Sequence, residues 1–296
     1  MKSKLISYTL AIATILGLCL VNAHAQPAKD AGFNYKASGY YSGSAGIKAG
    51  TVDLGDVSAA NYSVSGNYAM PVGEDGLFRI GGTFDTTTFS RDAAFIIPGE
   101  LYSLALNLGY SAPFSDAWSY RIDISPGIYS DFNDISKDDL NVPSVFSVIY
   151  TSSPDLQWYF AVIANPRGKT PVMGGVGVRW RFAEQWTLNL LFPNPQIEYA
   201  ASDSVTLFAG ASMQGGTYNL ADNFGTPAGR PGLNNEYVDY REICVGTGAK
   251  FTLSPDFTAT VGAGWMVDRR FEYDADDLTL NGDGSFYIRA SVGGRF

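Results

Sequence analysis

The last thirteen residues read GSFYIRASVGGRF, Gly284 to Phe296. Phe286, Ile288, Ala290, Val292 and Phe296 fall on one parity, and Ser285, Tyr287, Arg289, Ser291 and Arg295 on the other. Successive side chains of a strand point to opposite faces. The segment is therefore a strand with an apolar face and a polar, cationic one, and it finishes on an aromatic residue without a polar tail. An uncovered strand edge is a template for unwanted pairing. Pairing the last strand with the first removes the edge, so the expected architecture is a closed barrel.

The rest of the chain repeats the pattern. LYSLALNLGY sets Tyr102, Leu104, Leu106, Leu108 and Tyr110 against Ser103, Ala105, Asn107 and Gly109. FTATVGAGWMV sets Phe257, Ala259, Val261, Ala263, Trp265 and Val267 against Thr258, Thr260, Gly262 and Gly264. Period-two alternation marks strands, and no segment carries a helical stripe. Val205–Thr217, Tyr237–Leu253 and Phe257–Glu272 exceed the usual five or six residues of a globular strand. They suit a tilted membrane strand, which needs about 9–11 residues in the hydrocarbon.

Fourteen strands are expected, at 33–45, 58–70, 77–90, 101–112, 118–129, 142–152, 156–164, 171–182, 186–192, 195–200, 204–217, 237–253, 257–272 and 285–296. Turns after even-numbered strands are short (PVGEDG, APFSDA, SSPD, AEQ, ASDS, LSPD). Those after odd-numbered strands are mostly long, as in SDFNDISKDDL and NLADNFGTPAGRPGLNNE. Short turns on one rim and long loops on the other characterise transmembrane up-and-down antiparallel barrels. Trp118, Trp158, Trp180 and Trp186 each lie near a short turn, where an aromatic girdle belongs; Trp265 sits higher.

The N-terminus reads as a secretory signal peptide over 1–25. MKSK supplies charge, LISYTLAIATILGLCLV an apolar core and AHA a cleavage site after Ala25. Leu18 before Cys19 argues against a lipoprotein site. The barrel domain is then 26–296. Cleavage would remove the sole histidine, His24, and leave Cys244 as the single cysteine, which excludes an intramolecular disulfide. It would also take the net charge from -9 to about -11. That charge argues against nucleic acid as a partner.

The ending resembles the C-terminal assembly signal of Gram-negative outer-membrane β-barrels, carried here by Phe286, Ile288, Ala290, Val292 and Phe296. Gly294 departs from the pattern at a position that is usually apolar. The resemblance implies residence in the bacterial outer membrane, contact with its lipid and lipopolysaccharide, and recognition of the last strand by the barrel-assembly machinery. WTLNLLFPNPQIEY and YREICVGTGAKFTL…VDRRFEY are similar to uncharacterised barrel families known only as domains of unknown function, which bring no activity with them. The hairpin formed by Trp186–Phe192 and Pro195–Ala200 is short and interrupted by Pro193 and Pro195. Without it the barrel has twelve strands.

No catalytic residue, metal site or cofactor is expected. A serine nucleophile lacks its usual base once His24 is gone. In RGKTP the position five before Gly168 is Ile163, where a phosphate loop needs glycine. DADDLTLNGDG places Leu278 where a calcium loop needs an oxygen ligand. The interior is more informative. The polar parity predicts Lys36, Arg79, Arg121, Arg179, Arg181, Lys250, Arg270, Arg289 and Arg295 facing the lumen. The acids on that parity are fewer: Asp85, Asp123, Glu198, Glu242, Asp268 and Glu272. Two readings are open. In one, the protein is a porin-like channel for small anionic solutes. In the other, a salt-bridged interior makes it a non-conducting structural or surface-binding barrel. Eight strands fill with side chains and sixteen to eighteen hold a channel, so fourteen is compatible with either.

Overall fold

The computed structural model describes residues 31–91 and 96–296. The signal-peptide reading of 1–25, with Cys19 and His24, lies outside the described residues. Fourteen strands succeed one another: β1 Gly32–Ala49, β2 Val52–Val72, β3 Gly76–Arg91 and β4 Glu100–Pro113. Next come β5 (Trp118–Ile124 continued by Gly127–Ser130), β6 (Leu140–Asn141 continued by Ser144–Ser153), β7 Leu156–Ala164 and β8 Val172–Ala183. Then come β9 Trp186–Asn189, β10 Gln196–Ser202, β11 Val205–Asn219, β12 Tyr237–Ser254, β13 Phe257–Tyr273 and β14 (Thr279–Gly282 continued by Ser285–Arg295).

Prolines account for two of the interruptions. Pro126 and Pro143 have no N–H to give to the ladder, yet their carbonyls stay paired with Leu106 N and Ser125 N, each at 2.9 Å. Consecutive strands are antiparallel, and β14 closes on β1 from Asn34↔Arg295 to Ser42↔Tyr287; one parallel bridge, Asn219↔Ser130, joins the ends of β11 and β5. Phe296 extends the closure, exchanging backbone hydrogen bonds with Phe33 at 2.9 and 3.0 Å and stacking on Tyr35. The short hairpin of β9 and β10 belongs to the barrel, so the count is fourteen and not twelve.

The exterior is apolar. Leu104, Val176, Trp265 and Ile288 are each more than half exposed. Around the short-turn rim, aromatic rings form a run of contacts: Phe114–Trp118, Trp118–Tyr150, Trp180–Phe182, Phe182–Trp186 and Trp186–Tyr199. This is the girdle expected from the tryptophan positions.

The long-loop half of the barrel is filled. Inward residues of β1–β4 and β11–β14, among them Ile47, Val57, Phe89, Leu101, Tyr240, Phe271 and Leu280, pack into one apolar core. Ile96, Ile97, Leu220 and Leu233 fold into it from the loops. Phe89 meets Tyr240 and Phe271 edge-to-face, and those two rings pack tilted against each other, at centroid distances of 4.9–5.2 Å. Loop carbonyls are held as well, since Tyr273 Oη donates to Ile96 O at 2.5 Å. Each fully buried large side chain contributes about 1.5–3 kcal/mol relative to exposure, so this cap is a structural unit and not a loose loop cover.

One irregularity changes which side chains face inward. Ile243 pairs with Asp268 and Cys244 with Met266, so Val267 is an extra residue on β13. Such a bulge reverses the facing of everything beyond it. Asp268, Arg270 and Glu272, expected in the lumen, instead face outward with Arg241 and form ion pairs there. Arg269 takes the inward position.

A protein closed in this way should resist sodium dodecyl sulfate until heated. Boiled and unboiled samples should migrate differently in gels. Deleting Phe296 should reduce the yield of the compact form more than deleting the loop residues Thr226–Pro231, because only the former carries backbone pairs of the closing seam.

Candidate functional site

The lumen divides into two zones. In the short-turn half, Lys36, Arg79, Arg121, Arg179, Arg181, Lys250, Arg289 and Arg295 all lie on the inward parity, within about seven residues of a short turn or of the seam at Phe296. A pleated strand returns to the same face every second residue, so the sequence pattern alone places these groups in one belt. Asp123 lies between two of them: Arg121 Nη2 donates to it at 2.9 Å, and Arg79 Nη2 at 3.4 Å. Arg79 also donates to Ser111 Oγ at 3.1 Å. Arg181, at the rim, pairs with Asp155 of the turn.

Three cations of this belt, Arg179, Lys250 and Arg289, form no ion pair with an acid among the described residues. Arg179 stands near the Tyr159 phenol. Arg289 lies over the Phe208 ring, 5.3 Å from its centroid. The wall beneath these groups is made of small residues for a steric reason. A Cβ at Gly246 would come within 2.4 Å of Tyr287 Oη, and one at Gly248 within 2.2 Å of the Phe208 ring. The glycines let Tyr287 and Phe208 lie against the wall.

Where the belt meets the apolar cap, a polar cluster forms the floor of the cap. Glu242 and Arg269 are both fully buried, and Arg269 Nε donates to Glu242 Oε1 at 2.6 Å. Tyr40 Oη donates to Glu242 at 2.6 Å, Gln214 Nε2 at 3.0 Å and Ser42 Oγ at 3.1 Å. Arg269 Nη2 reaches Ser42 Oγ at 2.6 Å, and its Nη1 reaches the Val57 carbonyl. The guanidinium thus spans from β13 to β1 and β2. A buried charge pair persists only when its remaining donors and acceptors are satisfied, and here they are.

The other expected lumen acids stand apart from this cluster. Asp85 accepts from Ser103 Oγ at 3.3 Å, and Glu198 from Gln196 and Asn189 at 2.8 and 3.2 Å. The sequence reading missed Arg269. Arg269 and Arg270 are adjacent, so one of them had to face inward, but only the bulge position decides which. With that exchange the inward cations still outnumber the acids, now reduced to Asp85, Asp123, Glu198 and Glu242.

In the loops, burial raises the Asp131 carboxyl above the usual range although Asn133 N and Ala221 N donate to it. Lys169 is raised by its hydrogen bond to Asp277. No cluster of three or more metal-ligating side chains occurs among the described residues. Cys244 is buried, with its Sγ 3.2 Å from Tyr40 Oη, which in turn donates to Glu242. The arrangement can attract and order anions.

Residues 77–280 match the family described as Domain of unknown function (DUF6268). Among solved structures, the chain is similar to the COG4313 outer membrane channel from Pseudomonas putida F1, at 8% identity and a TM-score of 0.50, over 94% of this chain and 100% of that one. It is also similar to the P. putida toluene transporter TodX, at 9% identity and a TM-score of 0.50, over 90% of each chain. These likenesses show a shared outer-membrane barrel fold. No curated protein matches the chain by sequence.

Breaking the floor cluster should be costly. Glu242→Ala would leave Arg269 buried without its counter-charge, a loss of about 3–5 kcal/mol. The double variant Glu242→Gln/Arg269→Met should lose less than Glu242→Ala alone. Urea unfolding of the protein refolded in lipid vesicles measures both.

Proposed function

The chain belongs to the DUF6268 family, and we propose that it is an outer-membrane channel, closed at rest by its apolar cap, that favours small anionic solutes. The observation that carries this reading is the unpaired cation set Arg179, Lys250 and Arg289 in the water-accessible half of the lumen. Confined water screens charge poorly over short distances, and a ring of cations at a narrow point selects for anions. The reading further has the segment 1–25 exporting the chain, the short turns lying in the periplasm, and lipopolysaccharide facing the outward Arg241 and Arg270.

A second reading has an observation of its own. The long-loop half is as well packed as a protein interior, which favours a non-conducting barrel that presents its loops to the outside. The two readings differ in the effect of removing cap residues.

In planar bilayers the intact protein should conduct little. Removing loop residues 222–232 should raise conductance several-fold, with a reversal potential in a salt gradient that reports anion preference. Arg179→Gln in that background should move the potential toward cation preference. Arg181→Gln should move it less, because Arg181 is already paired with Asp155. A cap-deleted barrel that folds yet stays silent would establish the scaffold reading, and one that prefers cations would refute the role given to the basic belt.

A further inference from the structure

The long-loop rim holds a crevice of about 680 Å³ between the start of β4, the turn that follows β5 and the β11–β12 loop. That volume falls within the about 300–1,000 Å³ of small-molecule sites. Its walls are tied to one another. β5 and β11 meet at the Ser130↔Asn219 bridge, and Asp131 N donates to Asn219 O at 3.2 Å. The Asp131 carboxylate accepts from Asn133 N at 3.1 Å within its own turn, and from Ala221 N, 90 residues away, at 3.2 Å. The crevice is thus a built feature of the rim.

Two aromatic rings line it. Phe132 stacks on Tyr102 with centroids 5.0 Å apart, and Phe224 on Tyr273 at 6.5 Å. Each stack covers one face, and both rings stay half-buried, so apolar surface remains on the crevice wall. Phe132 has a φ of 56°, a left-handed conformation that bulky residues rarely adopt; Phe132 N donating to Ser130 Oγ at 3.1 Å helps to hold it. The polar lining sets donors beside acceptors. Arg91 Nη1 is buried with no hydrogen-bond partner, and Arg91 forms no ion pair among the described residues. A buried donor left unmade is costly. Glu100, which accepts from Tyr102 Oη, and Asp131 supply carboxylate oxygens. Asn133 and Asn223 are exposed, and each amide offers two donors and an acceptor.

A site for an anion gathers donors; this one mixes a single guanidinium with two carboxylates and two amides. A hydroxyl group both donates and accepts, so the mixture matches a polyol. The rings add a second requirement, an apolar face that can lie flat on them. A pyranose ring has both, C–H faces above and below and hydroxyls around its edge. We propose that this crevice binds an uncharged sugar ring, packed against Phe132 and Phe224 with its hydroxyls on Arg91, Glu100 and the asparagines. The site lies on the loops, at the opposite end of the barrel from the basic belt, and it stands whether or not the barrel conducts. The same sugar chemistry can come from the cell's own lipopolysaccharide or from the medium.

The test is saturation-transfer difference NMR on the folded protein in an amine-oxide detergent, which has no sugar head group to compete. The probes are methyl glucoside, methyl galactoside and methyl mannoside, the methyl glucuronide and galacturonide, and core oligosaccharide released from lipopolysaccharide by mild acid. At least one neutral probe should receive saturation, most strongly at the C–H protons of one ring face. Phe132→Gly removes the aromatic ring and suits the left-handed backbone, so heat-modifiable migration should persist while the signal falls several-fold. Arg91→Met removes a donor that no described group uses, and should likewise weaken binding without loss of the folded form. Each uronide should bind less well than its neutral parent, because Glu100 and Asp131 oppose its charge. Tighter binding of the uronides overturns the uncharged class. No signal from any neutral probe, or a signal that survives both substitutions, overturns the site. A stronger response to core oligosaccharide than to every glycoside assigns the occupant to the cell envelope, and the reverse assigns it to the medium.

Discussion

Every peptide group that enters hydrocarbon must find its hydrogen bond within the protein. This constraint generates the rest of the structure. It forces β14 onto β1, so that the terminal Phe296 is paired with Phe33 and not left as an edge. It explains why Pro126 and Pro143 are accommodated at strand breaks with their carbonyls still engaged. Where strand pairing lapses between β8 and β11, the protein supplies other partners: Asn219 bridges to Ser130, and Asn165 donates to Thr217.

The constraint acts on side chains through register. A single extra residue, Val267, keeps the β12–β13 ladder paired while exchanging its two faces. Below the bulge Met266 points inward; above it Arg269 does. The exchange supplies the cation that reaches Glu242, and it sends Asp268, Arg270 and Glu272 to the outside, where they pair with one another and with Arg241. The floor of the cap is thus built from one bulge, one buried acid, and hydroxyl groups on β1.

Much of the barrel was legible in the sequence because alternation, turn length and tryptophan height are local signals. The placements of Arg79, Arg121 and Arg179 came from period two alone. The bulge was not legible. Met266 and Val267 are both apolar, so an inserted residue leaves no mark on the hydrophobic pattern. The cap was hidden for another reason: Ile96, Ile97, Leu220 and Leu233 sit in loops, and their shared destination depends on contacts between segments far apart in the chain. The short hairpin stands out in the sequence as an anomaly of length and proline content. Its consequence, a lapse of strand pairing above it, emerges only when the pairings on both flanks are known.

The cap carries a thermodynamic consequence. Its displacement would wet a set of apolar side chains that are almost fully buried, and the work of wetting depends on what takes their place. Water is the costliest replacement and hydrocarbon the cheapest. On the channel reading, the resting state is a seal against ions whose strength is set by surface tension more than by charge. A molecule that brings its own oil lowers the barrier as it enters, so permeant and key would be the same substance. By linkage, whatever binds the displaced arrangement more tightly sets how often it is visited.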